Sequence, residues 1–330
     1  MDNFKVSVII PVYNCDEYIG TTLESVINQD FDSYEIIVID DGSTDNSLEI
    51  INATLKDCEV PYKVVHQENG GVSVARNHGI NISNGEYLVF VDADDYITEN
   101  HLSELYNENY DFSLIRFAKK DEGSLSSLDY FNVDVMSTDD FIKKELRMEI
   151  LFNFFQLSYR ASIIKENDIH FTPGVVYGED TEFALKALIH GERIHISNEI
   201  TYFYVQRSDS AIRTTEFRRF DVVPIFENLA DFYRMRGKND LAYLIVHSRI
   251  PKAIFGNMNY FFYSCYGFDD VMYVMEKRGL FSKLERFRGD MKFKLKVRLF
   301  LLNPRLYYKM WFKFKNSIDY HEGFCCNTEL

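Results

Sequence analysis

Three carboxylates crowd one short stretch of this chain. Asp92-Ala93-Asp94-Asp95 follows directly on the apolar run Val89-Phe90-Val91. Acids this close repel one another unless a cation or a cationic ligand joins them. Hard oxygen ligands suit Mg²⁺ or Mn²⁺, and such an ion in turn neutralises phosphate oxygens. A second acid pair, Glu179-Asp180, follows Gly178. A carboxylate there can take the proton of a hydroxyl within hydrogen-bond reach. It can equally do no more than favour a helix N-terminus through the dipole. An isolated Asp-x-Asp is weak evidence, expected about once by chance in an acidic chain of this size. Its place after an apolar run is what gives it weight.

Those residues need elements to hold them. A run of Val, Leu and Phe reads as a buried strand of a parallel sheet, and ligands of open α/β sheets sit at the carboxyl ends of such strands. Strands are expected over 5–12, 35–39, 62–66, 86–91 and 111–117. Helices are expected over 16–29, from Ser43 or Thr44 as cap to about Lys56, over 71–82 and over 98–106. This alternation means a mostly parallel sheet covered on both faces. Residues 119–128 read as a polar surface loop. A helix starts at Ser137-Thr138-Asp139-Asp140, and 150–171 is aromatic-rich and ambiguous. A helix over 178–190 precedes strands over 193–196 and 201–205. After Glu216 the pattern is helical to the end, with Pro251 and Pro304 as breaks.

Composition narrows the field. At 330 residues with 46% apolar content the chain can build a large core, which argues against disorder. A net charge of −15 argues against nucleic acid as a partner. Five scattered cysteines suit free thiols in a reducing compartment. No zinc-like Cys/His spacing, signal peptide or membrane-spanning run is evident. These features imply a cytoplasmic protein. The charge is uneven, because 283–315 carries 11 Lys or Arg against Glu285 and Asp290. From about 281 the chain alternates basic and apolar residues, including Trp311, Phe312 and Phe314. Such a stretch suits an anionic membrane surface, with ordinary helix packing as the plainer reading. The aromatics between Asn257 and Tyr273 read as core.

Several motifs remain to be placed. Pro11-Val12-Tyr13-Asn14 ends the first strand and Asp40-Asp41-Gly42-Ser43-Thr44-Asp45 ends the second. Asn69-Gly70-Gly71 leads into Ala75-Arg76-Asn77, and Arg207-Ser208-Asp209-Ser210 follows the last strand. Together with Asp-Ala-Asp-Asp and Gly-Glu-Asp, in this order and spacing, they make the chain resemble the family 2 glycosyltransferases, from about Val6 to Ile212. The resemblance implies an α/β GT-A fold, Rossmann-like, with a catalytic region over 1–215 and a helical C-terminal extension over 216–330. Within the first, 1–118 would hold the nucleotide sugar and 119–215 the acceptor. It also implies an inverting transfer from a UDP-sugar to a hydroxyl of a growing glycan or lipid-linked oligosaccharide, assisted by Mn²⁺ or Mg²⁺.

The family's site residues carry over by motif. Pro11, Val12, Tyr13 and Asp40 would form the base pocket, with Tyr13 against the uracil face and Asp40 accepting its imide N–H. Arg76 would contact base, ribose or phosphate. Asp92 would approach the ribose or the metal's shell, Ala93 would lie along the nucleotide sugar, and Asp94 would hold the metal. Asp95 is left as a cap near the helix around Thr98. Asp180 would be the general base and Glu179 would orient the acceptor. Arg207 and Ser210 would fold over the diphosphate. Phe152, Phe155 and Tyr159 would wall the pocket. The setting implied is the cytoplasm; attachment to the inner face of the cell membrane through 281–315 is read from the basic-apolar pattern of that stretch.

Other classes fit less well. A sugar nucleotidyltransferase would want a Gly-rich basic loop after strand one, where this chain has Tyr13-Asn14-Cys15-Asp16. An inactive scaffold would have lost the base or the metal acid. A dinucleotide oxidoreductase would need the G-x-G-x-x-G that is missing here.

Overall fold

The computed structural model describes residues 4–121, 124–127, 131–205, 217–264 and 266–311, with side chains outside 121–130. The chain divides into two units, Met1–Thr214 and Thr215–Leu330.

In the first unit β1 (Val6–Val12), β2 (Tyr34–Asp40) and β4 (Tyr87–Phe90) are buried at every position. That is the signature of parallel strands with both faces covered. With β3 (Tyr62–His66) they run in the order β3-β2-β1-β4, all parallel. The crossovers are α1 (Ile19–Ile27), α2 (Ser47–Leu55) and α3 (Val72–Ile82). Strand order reverses between β1 and β4, and the carboxyl ends of strands at such a point are where open α/β sheets bind their ligands. Gly79 lets α3 lie close on β1, since a Cβ at this position would come within 2.5 Å of Ile9 Cγ2.

Beyond β4 the sheet is mixed. After β5 (Tyr96–Ile97) and α4 (His101–Leu105) come β6 (Phe112–Asp121), β7 (Ser124–Ser127), β8 (Val135–Ser137), β9 (Leu157–Arg160) and β10 (Arg193–Val205). The order continues β4-β9-β6-β10-β5. β9 is antiparallel to both β4 and β6, whereas β6 and β10 are parallel. Helices α5 (Thr138–Leu146), α6 (Ala161–Glu166) and α7 (Glu179–Leu188) complete the unit. Ser137 caps α5 as expected, its hydroxyl accepting the Asp140 amide at 3.1 Å.

Three sequence expectations are corrected here. The strand over 111–117 runs on as β6 to Asp121, through part of the expected loop. The two strands over 193–205 are one strand with register shifts between Ile196 and Tyr202. Ser43 and Thr44 do not cap α2. The Ser43 hydroxyl accepts the Asn14 amide at 3.0 Å, and Thr44 donates its amide to Asn14 Oδ1 at 2.8 Å. Asp45 supplies the local turn instead, accepting the Ser47 amide at 3.0 Å.

The second unit is helical, with α8 (Val222–Met235), α9 (Asn239–Leu244), α10 (Ile250–Tyr263), α11 (Phe268–Lys277), α12 (Leu280–Leu284) and α13 (Met291–Leu302). Pro251 does not break it. A π turn over Ile245–Arg249 carries α9 straight into α10. Proline cannot donate to the carbonyl four residues back. That carbonyl, on His247, accepts the Arg288 amide at 2.7 Å. Pro304 begins a last helical stretch over 304–311, where Asn303 Oδ1 accepts the Leu306 amide. The aromatic stretch from Asn257 is largely core, with Phe261 and Phe262 buried. Rings of the basic C-terminal stretch also pack on the helices of this unit. Phe293 and Tyr307 meet Phe255 at 5.1 and 5.4 Å, and Trp311 meets Phe262 at 6.0 Å. Phe312 and Phe314 lie outside the described residues.

Candidate active site

The first two loops are tied to each other before any ligand arrives. Asn14 takes a left-handed backbone, φ 49°, just past β1, a conformation asparagine tolerates. Its side chain and amide hold Ser43 and Thr44 beside it. Pro11 and Val12 are buried strand residues, while Tyr13 is 50% exposed at the carboxyl end of β1. Asp40 is wholly buried. Its Oδ2 meets His66 Nδ1 at 2.5 Å and its Oδ1 accepts the Ser43 amide at 3.2 Å. Asp41 has an inward role that the sequence did not reveal. It accepts Gln67 Nε2 at 2.7 Å and the amides of Gly70 and Gly71 at 2.9 and 2.8 Å. Gly71 can take φ +89° without a Cβ penalty, so the loop turns into α3 there.

The three acids after β4 divide into different states. Asp92 pairs with Arg76 at 2.7 Å. The Arg76 guanidinium lies over the Phe154 ring at 4.3 Å, which leaves it nearly buried. It is therefore an internal counter-ion for Asp92. Asp95 is buried and accepts the Tyr202 hydroxyl at 2.6 Å and the Val205 amide at 2.9 Å. Burial first, and Asp92 second, push the Asp95 carboxyl well above the usual carboxylate range. It caps no helix near Thr98, contrary to the sequence reading. The Thr22 hydroxyl on α1 lies 2.8 and 2.7 Å from the carbonyls of Ala93 and Asp95, which fixes the turn. Asp94 lies half-buried within it. Two of the three acids are thus accounted for, Asp92 by an arginine and Asp95 by burial and two hydrogen bonds.

Glu179 and Asp180 open α7 after Gly178, whose φ of +94° suits only glycine. Burial, then the adjacent Asp180 carboxylate, pushes Glu179 up to about 7; Arg76 opposes this and Asp92 adds to it. Those influences link the α7 acids to the Arg76–Asp92 pair, 87 residues apart in sequence between Asp92 and Glu179. The Glu179 Oε2 atom is buried with no hydrogen-bond partner among the described residues. A clasp fixes the approach: Asn77 donates to the Phe171 carbonyl at 2.8 Å and accepts its amide at 2.9 Å. Asn77→Ala orphans both backbone groups, so urea unfolding should show a loss of about 2 kcal/mol.

The Glu179 shift has a testable sign. Its ordinary value is 4.5, so the folded protein holds this proton more tightly than the unfolded chain. Its stabilisation is full below about pH 4.5 and is lost as pH rises through about 7. The melting temperature of wild type should therefore fall more steeply across this window than that of Glu179→Gln. Parallel slopes would refute the shift.

Of the expected wall residues, Tyr159 stands beside the chemistry but inside the core, and burial, then the Asp180 carboxylate, raises its phenol while Arg76 opposes this. Tyr159 is wholly buried and donates to the Phe154 carbonyl at 2.8 Å. Phe155 stacks on Tyr202 at 4.2 Å, and Phe152 packs on Phe141 at 5.0 Å. The first two are core rings and not exposed walls. Arg207 and Ser210 lie outside the described residues.

The donor set bears on a metal. Among the described residues no group of three His, Cys, Asp or Glu forms a self-contained site. Asp95 is committed to Tyr202, and Asp92 to Arg76. A hard cation that arrives with phosphate oxygens and water needs only one or two carboxylates. Asp94, with Asp92 beside it, fits that kind of ion.

Comparison with known proteins extends these observations. The model of "Glycosyl transferase family 2" matches residues 7–167. Glycosyltransferase GlyG of Streptococcus pneumoniae is 31% identical over 232 residues, covering 63% of this chain and 73% of its own length. A poly(ribitol-phosphate) beta-glucosyltransferase of Bacillus spizizenii is 36% identical over 214 residues, 62% of this chain. This chain spans only 33% of that larger relative. Residues 1–349 of S. aureus TarS, solved in complex with UDP-GlcNAc, superpose with a TM-score of 0.64. That match covers 97% of this chain and 92% of the other at 22% identity, a likeness of fold. With its parallel β3-β2-β1-β4 core, its acid turn after β4 and its acid pair at the head of α7, the chain belongs to glycosyl transferase family 2.

Proposed function

We propose that this protein is an inverting glycosyltransferase that moves a hexose or N-acetylhexosamine from a UDP-sugar to a hydroxyl of a growing glycan or lipid-linked oligosaccharide. One observation carries the reading: Arg76, the ion partner of Asp92, lies over Phe171 at 5.3 Å, and Phe171 stacks on Phe183 of α7 at 3.9 Å, so the acid turn after β4 and the helix that opens with Glu179-Asp180 are packed through shared rings. Relatives named as glucosyl- and N-acetylglucosaminyltransferases support it.

In this reading Tyr13 lies against the uracil face. Asp40, held by the Ser43 amide and His66, stands at the base pocket and accepts the imide N–H of the uracil. Arg76 sets the direction of Asp92 towards the ribose. Asp94 would hold Mn²⁺ or Mg²⁺, and that ion when bound would offset charge on the diphosphate. Asp180 accepts the acceptor's hydroxyl proton. The hydroxyl oxygen bonds the anomeric carbon as the bond to the diphosphate breaks on the opposite face, and UDP leaves. Glu179, protonated near neutrality, can donate a hydrogen bond to the acceptor. An α-linked donor then gives a β-linked product.

The test is a panel of UDP-sugars, with UDP release measured with and without Mn²⁺, and NMR of the product. Release from one donor and a β-linkage are expected. No release or binding with any UDP-sugar would refute the reading, and a retained α-linkage would refute inversion.

A further inference from the structure

One helix of the second unit carries more apolar surface than its own core uses. α13 buries Val297 and Phe300 and sets Phe293 against Phe255 and Phe287, at 5.1 and 4.6 Å. At 3.6 residues per turn, Met291, Leu295 and Leu302 recur on the opposite stripe. Their burial agrees with that geometry, because they are 64%, 58% and 85% exposed. Leu306 and Met310 repeat the four-residue spacing along 304–311 and are exposed as well. A helix that is apolar on two faces and buries one has a second face to cover.

Charge decides what covers it. Residues 291–311 hold six Lys or Arg and no Asp or Glu, in a chain whose net charge is −15. Lys292, Arg298 and Lys309 are exposed next to these apolar residues. Two-fold pairing of this stripe with a second copy would oppose like charges. No described helix is long and apolar enough to cross a membrane, so the stripe would lie on a surface.

We infer that the outer stripe of α13, with Leu306 and Met310, docks on an anionic lipid bilayer. Its methionine and leucine side chains enter the headgroup boundary and its cations meet lipid phosphates. This deepens the reading above, since it brings a lipid-linked acceptor to the enzyme. The inward rings anchor the stripe to its own unit, so the contact is made by the aliphatic side chains.

Co-sedimentation of the full chain with phosphatidylcholine vesicles, with and without phosphatidylglycerol, tests this. Wild type should pellet with the anionic vesicles at low salt and be released as salt rises. The triple variant Met291→Ser, Leu295→Ser, Leu302→Ser should partition at least about tenfold less, with an unchanged melting temperature. Lys292→Glu with Lys296→Glu should lose the preference for anionic vesicles. A wild type that stays in the supernatant overturns the inference, and so does a triple-serine variant that pellets equally. A vesicle-indifferent dimer that the serines dissociate would overturn it too, in favour of a second copy. UDP release without vesicles, read in parallel, separates a failed transferase from a failed docking face.

Discussion

Asp180→Asn is expected to lower kcat for sugar transfer by about 10²–10⁴-fold. The amide keeps the shape of the carboxylate and can still accept the Thr181 amide, now 2.6 Å from Asp180 Oδ1. It cannot take the proton of an attacking hydroxyl. Two further consequences make the result diagnostic. UDP affinity should stay within about threefold of wild type, because the lost interaction belongs to the transition state. The pH behaviour of Glu179 should also shift, because the Asp180 carboxylate is one of the forces that hold its pKa up. Removing that charge should lower the Glu179 pKa, and a carboxyl-resolved NMR titration would show it. A variant that transfers sugar at the wild-type rate would remove Asp180 from the mechanism.

The second large effect is expected at Arg76. Arg76→Met replaces a buried cation with a flexible apolar chain of similar reach. Asp92 then loses its ion partner at 2.7 Å, and the α7 acids lose the one charge that lowers Glu179. Breaking a largely buried pair from one side costs about 3–5 kcal/mol. The denaturation midpoint should fall accordingly, and the KM for the donor should rise, since Asp92 would no longer be held. Arg76→Lys should recover only part of the loss, because an ammonium cannot lie flat on the Phe154 ring as the guanidinium does. A variant with both stability and donor KM unchanged would show that the pair does not organise the acid turn.

The parallel half of the fold was legible because its residues announce themselves. β1, β2 and β4 are apolar at nearly every position, and the chemistry-bearing side chains stand at their ends. What stayed hidden was direction. Ser43 and Thr44 are good capping residues, yet Asn14, 29 positions before Ser43, claims them. Asp95 reads as a helix cap near Thr98 until Tyr202 and Val205 are seen to bind it from β10. Nothing in the residues around Arg76 reveals that Phe154 lies beneath its guanidinium. In each case the deciding partner lies far away in sequence, where local propensity is silent. Pro251 shows the same at the backbone level, since the His247 carbonyl to which it cannot donate accepts the Arg288 amide, 41 positions after His247. The Asp-x-Asp-Asp and Glu-Asp motifs could be found from spacing, but the division of work among their acids could not.

The placement of β9 bears on how such enzymes can be recombined. It lies between β4 and β6 and is hydrogen-bonded to both, while Asn77 grips the backbone at Phe171. A crossover at residue 118 would therefore cut within β6 and join residues 1–118 to a foreign filler strand and a foreign clasp. Chimeras made to exchange sugar specificity should cross over near 214, so that the whole interleaved sheet travels as one inheritance.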